Sequence, residues 1–184
     1  MKVLFLLFCL ISSLAEAANP IVEFETNQGN FKIELYPEKA LKTVNNFLSY
    51  VDSGFYKETI FHRVISNFMI QGGGFTRDII EKKTQAPIFN ESNNGLVNSA
   101  GTIAMARTND PNSATAQFFI NLIDNSFLNY TSPEPTSVGY CVFGKVTEGM
   151  NIIQKIGQLP TGSSRGFSDV PIRPVVIINA KHIN

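Results

Sequence analysis

From residue 21 to 26 the chain alternates, with Val22 and Phe24 apolar and Glu23 and Glu25 charged, which predicts a half-buried strand. Asn27-Gln28-Gly29-Asn30 is turn chemistry, and Phe31, Ile33 and Leu35 then alternate with Lys32 and Glu34, so the two runs read as a hairpin. Past Pro37 the period lengthens. Ala40, Leu41, Val44, Phe47, Leu48 and Val51 recur every three or four residues, the spacing of an amphipathic helix, which Ser53-Gly54 halts. Short apolar or β-rich runs follow at residues 60–65, 68–71, 102–106, 118–122, 142–146 and 175–180, separated by polar loops containing Gly and Pro. Residues 149–156 carry a second helical pattern in Met150, Ile152, Ile153 and Ile156, with Gly157 as its stop. About eight strands and two helices, without repeat or linker, favour a mainly β domain: a closed antiparallel barrel whose ends are plugged by the helices.

The first residues belong to a different grammar. Met1-Lys2 is a short positive start, residues 3–11 are apolar throughout, and Ala15-Glu16-Ala17 before Ala18 is a small-x-small cleavage site. This is the pattern of a secretory signal peptide, so residues 1–17 are expected to be removed and residues 18–184 to form one domain. The other reading is an N-terminal membrane anchor, but about nine to twelve apolar residues fall short of the roughly 30 Å of hydrocarbon. No membrane contact is expected of the mature chain. The sequons Asn90-Glu91-Ser92 and Asn129-Tyr130-Thr131 matter only where the host glycosylates exported proteins.

Composition then excludes several classes of function. Fifteen Lys and Arg balance fifteen Asp and Glu, so the chain is not a basic nucleic-acid binder. Of two cysteines one lies in the leader; Cys141, in the apolar run Tyr140-Cys141-Val142-Phe143, has no partner for an internal disulfide and reads as a buried, inert thiol. Two distant histidines and one thiol make no metal pattern, and no Gly-x-Ser-x-Gly elbow accompanies His62 or His182. Gln71-Gly72-Gly73-Gly74-Phe75 lacks the Gly-Lys-Ser/Thr ending of a phosphate loop and reads instead as a turn with unusual backbone angles.

Candidate chemistry gathers between residues 55 and 73, where Arg63 and Gln71 stand among apolar side chains at strand spacing. A half-buried strand with one snorkelling arginine is the plainer reading. Projected onto one surface, Arg63, Phe68, Met69 and Gln71 would instead place a charged donor and an amide beside an apolar patch. Gln117-Phe118-Phe119-Ile120-Asn121 sets a second amide beside aromatics.

The run Phe-His-Arg-Val-Ile-x-x-Phe-Met-Ile-Gln-Gly-Gly at residues 61–73 closely resembles the signature of the cyclophilins, the peptidyl-prolyl cis-trans isomerases. Residues 101–106, 117–121 and 142–146 support the resemblance, which covers about residues 21–183 and is strongest to the periplasmic cyclophilins of Gram-negative bacteria. It implies an eight-stranded barrel closed by two helices, and a monomeric isomerase of X-Pro bonds in exported polypeptides, acting in the periplasm or after secretion without cofactor or metal. It implies that Arg63 is the catalytic arginine and that Gln71, with Gln117 beside it, holds the substrate backbone. Phe68, Met69, Phe119 and Leu128 would receive the proline ring, and Ala106 and Arg107 would touch the peptide largely through backbone groups. Three positions depart from common eukaryotic members: Arg107 replaces an asparagine, Phe127 a tryptophan and Tyr140 a histidine, changes that bear on ligand preference and imply weak cyclosporin binding. A module that holds proline-containing segments without catalysis is the alternative that the same pocket allows.

Overall fold

A computed structural model describes residues 18–183; the expected signal segment lies outside the described residues. Strands β1 (Ile21–Thr26) and β2 (Gly29–Leu35) form the expected hairpin, and helix α1 (Leu41–Asp52) follows. Next come β3 (Thr59–Ile65), β4 (Met69–Thr76), β5 (Thr102–Met105), β6 (Phe118–Asn121) and β7 (Val142–Glu148), then α2 (Met150–Gly157). A short hairpin, β8 (Thr161–Ser164) and β9 (Phe167–Pro171), precedes the last strand, β10 (Val176–His182). Eight strands close an antiparallel barrel in the order β1-β10-β3-β4-β6-β5-β7-β2, while β8 and β9 pair only with each other.

The pleat sends alternate residues to opposite faces of the barrel wall. Inward go Phe24, Phe31, Phe61, Ile70, Ile103, Phe118, Ile120 and Phe143, all in one buried core. Phe24 stacks on Phe31 at 4.9 Å between ring centroids, and Phe47 of α1 meets Phe118 edge-on at 5.7 Å. Each such buried ring contributes roughly 2–3 kcal/mol by leaving water. Outward from the same strands go Met69, Ala104, Phe119 and Val142, a second and smaller apolar cluster. One set of strands thus supplies the core on one face and an apolar patch on the other.

Helix α1 begins at Leu41 without a side-chain cap from its own Ala40. The carboxylate of Glu91, in a distant loop, accepts from the backbone N–H groups of Lys42 and Thr43 and from the Thr43 hydroxyl, and so satisfies donors that the first turn leaves open. Asn90 of the same sequon donates to the Gly139 carbonyl, and Asn129 of the other accepts from the backbone N–H of Asn98.

Two local readings of the sequence are corrected. Residues 71–75 are not a turn but the middle of β4. Only Gly73 there has an unusual backbone angle, φ 82°, and the run is glycine chiefly because its neighbours come close. A β-carbon at Gly73 would lie 2.8 Å from the rings of Phe118 and Tyr56, and one at Gly74 would lie 2.5 Å from Cγ of Gln117. The β8–β9 hairpin was not expected, because Thr-Gly-Ser-Ser shows no apolar alternation. Its two-residue turn, Arg165-Gly166, has positive φ at both positions, the geometry that suits a tight hairpin.

Candidate active site

Strand β3 interrupts its own alternation where the candidate arginine stands. Phe61 and Val64 both face the core although three positions apart, because Phe61 lies opposite Gly72 while Arg63 lies opposite Gln71. Two steps along β3 match one along β4, which is a β-bulge. A bulge leaves two consecutive residues off the inward face. His62 therefore packs outside the barrel against Phe75 and Phe167, at 4.6 and 6.2 Å between ring centroids, and Arg63 turns to the apolar patch.

Over that patch lies a cavity of about 120 Å³ lined by Arg63, Phe68, Met69, Gln71, Ala106, Arg107, Phe119, Leu128 and Tyr140. These are the residues the sequence singled out, except Gln117 and Phe127. Gln117 stands one layer back, accepting a hydrogen bond at 3.1 Å from Nε2 of Gln71. Phe127, in a short 3₁₀ turn (Ser126–Leu128), is 74% exposed and stacks on Phe68 at 5.6 Å, so it forms the rim of the site rather than its wall. Among the described residues no carboxylate lines the cavity and Arg63 takes part in no ion pair, so its guanidinium donors are open to a ligand.

Arg107 and Tyr140, two of the departures noted in the sequence, are one interaction. The guanidinium carbon lies 4.4 Å from the Tyr140 ring centroid, while Nε and Nη2 donate to the Gly139 carbonyl at 3.2 and 3.1 Å. Tyr140 in turn meets Phe119 edge-on at 5.6 Å. A cation over a ring suits a wall that must be apolar toward the cavity yet anchored to its loop.

Clefts of about 340 and 400 Å³ adjoin the cavity, one sharing Gln71, Ala106 and Arg107 with it and the other Arg107 and Tyr140. The small cavity, with Arg63, Gln71 and Arg107 beside its apolar side chains, therefore sits within a longer groove. A cavity of about 300 Å³ between β3 and the β8–β9 hairpin shares none of the candidate residues. Cys141 is buried with its thiol pKa pushed up to about 11, by burial against a partly offsetting hydrogen bond with Thr43, which leaves it protonated and unreactive. Among the described residues no group of three or more His, Cys, Asp or Glu could hold a metal, and no helix is long and apolar enough to cross a membrane.

The family described as cyclophilin type peptidyl-prolyl cis-trans isomerase/CLD matches residues 21–182. The peptidyl-prolyl cis-trans isomerase cyp18 of Streptomyces antibioticus is 61% identical over 160 residues, covering 87% of this chain and 96% of its own. Peptidyl-prolyl cis-trans isomerase B of Escherichia coli is 53% identical over 157 residues, covering 85% and 96%. A crystal structure of a cyclophilin type peptidyl-prolyl cis-trans isomerase from Cryptosporidium parvum superposes with a TM-score of 0.70 at 29% identity, covering 90% of this chain and 98% of that one.

The bulge that turns Arg63 outward also commits His62 to a dry site. Its Nδ1 has no hydrogen-bond partner, and burial, aided by the charge of Arg63, lowers its pKa to about 4 against a backbone contact with Ile60 that raises it. An unfolded chain binds a proton there near pH 6.5, so between pH 6.5 and 4 the unfolded state binds more protons than the folded one. Stability is therefore full above pH 6.5 and falls as pH drops toward 4. Thermal melts at pH 7 and 5 should show a larger loss of Tm for wild type than for His62→Phe; equal losses would mean that His62 does not titrate on unfolding.

Proposed function

Since the chain belongs to the cyclophilin-type peptidyl-prolyl cis-trans isomerases and catalyses their reaction, we propose that Arg63 is its catalytic group and that its substrates are exported polypeptides whose folding waits on proline. The observation that carries the first part is the bulge, which sets a guanidinium free of ion pairs at a cavity whose other walls include Phe68, Met69, Phe119 and Leu128. Support for the second part is the signal-like pattern of residues 1–17.

Rotation about an X-Pro bond faces a barrier of roughly 20 kcal/mol, which permits only about one turnover in 100 seconds unaided. As the bond twists, amide resonance is lost, and the prolyl nitrogen becomes pyramidal and gains a lone pair. An N–H of Arg63 donates to that lone pair. This bond has little to hold in the planar ground state, so it lowers the barrier instead of merely tightening binding. Arginine suits the task because it stays protonated.

The other side chains restrict what moves. Met69, Phe119 and Leu128 grip the proline ring, so that rotation is taken up by the acyl side. Gln71 is oriented by donating its Nε2 to Gln117, which leaves its carbonyl oxygen to accept from a substrate N–H. The adjoining clefts take the chain on either side of the proline. To reach ~10³ per second these effects together supply about 7 kcal/mol. The protein acts as a monomer on proline-containing polypeptides in the periplasm, or outside the cell where secretion is complete, and uses no cofactor.

Three outcomes are expected. In a coupled assay on an X-Pro peptide, Arg63→Ala should lower kcat/KM by about 10²–10³, the scale of losing one donor aimed at the transition state. Catalysis unchanged in the variant would overturn the role of Arg63, whereas cellular function that survives Arg63→Ala but is lost with Phe119 or Met69 would favour a module that merely holds proline segments. Cyclosporin should inhibit weakly, because Phe127 offers ring surface but no N–H donor, and one unpaired ligand carbonyl costs about 1–3 kcal/mol, or roughly 5- to 150-fold. Phe127→Trp should tighten inhibition without altering turnover on small peptides. Nanomolar inhibition of wild type, or no tightening in the variant, would show that this rim position does not govern the ligand.

A further inference from the structure

Three asparagines that do not line the cavity form one buried chain of amides beneath it. Asn98, Asn121 and Asn125 are each at most 1% exposed, although Asn is ordinarily a surface residue. Nδ2 of Asn125 donates to Oδ1 of Asn121 at 2.7 Å, and Nδ2 of Asn121 donates to Oδ1 of Asn98 at 3.2 Å and to the Thr102 hydroxyl at 2.9 Å. The two ends of the chain reach cavity walls. Asn125 donates to the backbone carbonyl of Phe68 at 3.0 Å, and Asn98 donates to those of Leu128 and Tyr140 at 3.1 and 3.4 Å.

These contacts tie three separate segments together: the residue before β4, the 3₁₀ turn and the residue two before β7. Apolar packing alone would hold them loosely, because the outward cluster has only four buried residues and Phe68, Leu128 and Tyr140 are only partly buried against it. A buried amide left unpaired is costly, so the chain resists partial loosening and tends to hold as a whole. We propose that Asn98, Asn121 and Asn125 are positioning residues that set the width of the proline cavity, between Phe68 on one side and Leu128 and Tyr140 on the other. The role rests on the isomerase reading, and it makes ring size, rather than the flanking sequence, the property this device selects.

The test compares wild type, Asn125→Ala and Asn98→Ser on matched peptides carrying proline or its six-membered homologue, pipecolic acid, with the folded fraction measured by circular dichroism. Thr26→Ala is the control: it removes a partly buried hydroxyl bond, to the Gly29 carbonyl, in the first hairpin. Either asparagine variant should raise KM about fivefold with kcat changed less than about twofold, and should lower the preference for proline over pipecolate at least about threefold. Thr26→Ala should leave the preference unchanged. An inactive wild type would overturn the isomerase reading and this role with it. An active wild type whose asparagine variants keep the full ring preference, or both fail to fold while Thr26→Ala folds, would overturn the positioning role alone.

Discussion

One extra residue in β3 governs how the site can exist on this barrel. A strand sends successive side chains to opposite faces, so a shift of one residue exchanges core and surface for everything beyond it. Without the bulge between Phe61 and Arg63, an inward Phe61 would put Arg63 in the apolar core and Val64 outside. A guanidinium buried without a partner is far too costly to be tolerated there. With the bulge, Val64 returns to the core and Arg63 faces the cavity. The same device isolates His62 among aromatic rings. Of the two register shifts between β3 and β4, the one between Phe61 and Arg63 sets core packing and candidate chemistry together.

Dense packing around the bulge then fixes the surrounding groups. Gly72, Gly73 and Gly74 let β4 pass against Phe61, Phe118, Tyr56 and the side chain of Gln117, each closer than a β-carbon would allow. Gln117 is thereby pressed into place beside Gln71, whose amide it orients. On the far side of the cavity the walls come from loops, and there hydrogen bonds replace packing: the asparagine chain beneath, and the Arg107–Tyr140 stack at the edge. Rigid strands carry the donor and the floor, and polar ties bring the loops to the same standard.

Much of this was legible in the sequence wherever period and chemistry agreed. The hairpin of β1 and β2, both helices and the barrel strands follow from spacings of two and of three to four, because each element buries one face. The cavity residues were recognisable through their resemblance to a known signature, not through periodicity. What stayed hidden depends on contacts distant in the chain. Phe-His-Arg-Val does break the alternation by setting two polar residues side by side, but a snorkelling arginine on a regular strand accounts for that equally well, so the bulge itself is not legible. The glycine run imitates a turn because its reason, the nearness of Phe118 and Gln117, lies over 40 residues away. The buried asparagines look like ordinary loop polarity until the fold removes their water, and Phe127, expected among the substrate contacts, stands at the rim because its turn points it outward.

The central claim is that the Arg63 guanidinium acts on the twisted bond and not on the resting peptide. Magnetic resonance on one X-Pro peptide, titrated into wild type and into Arg63→Lys, reports both the Kd and the cis–trans exchange rate of the bound peptide. Lysine keeps the charge but lacks the planar fork and reach of arginine. Differential stabilisation of the transition state requires that the Kd stay within about threefold while bound-state exchange slows by at least about tenfold. If Kd weakens by the same factor as catalysis while exchange in the bound peptide is unchanged, Arg63 is a binding residue and does not stabilise the twisted bond.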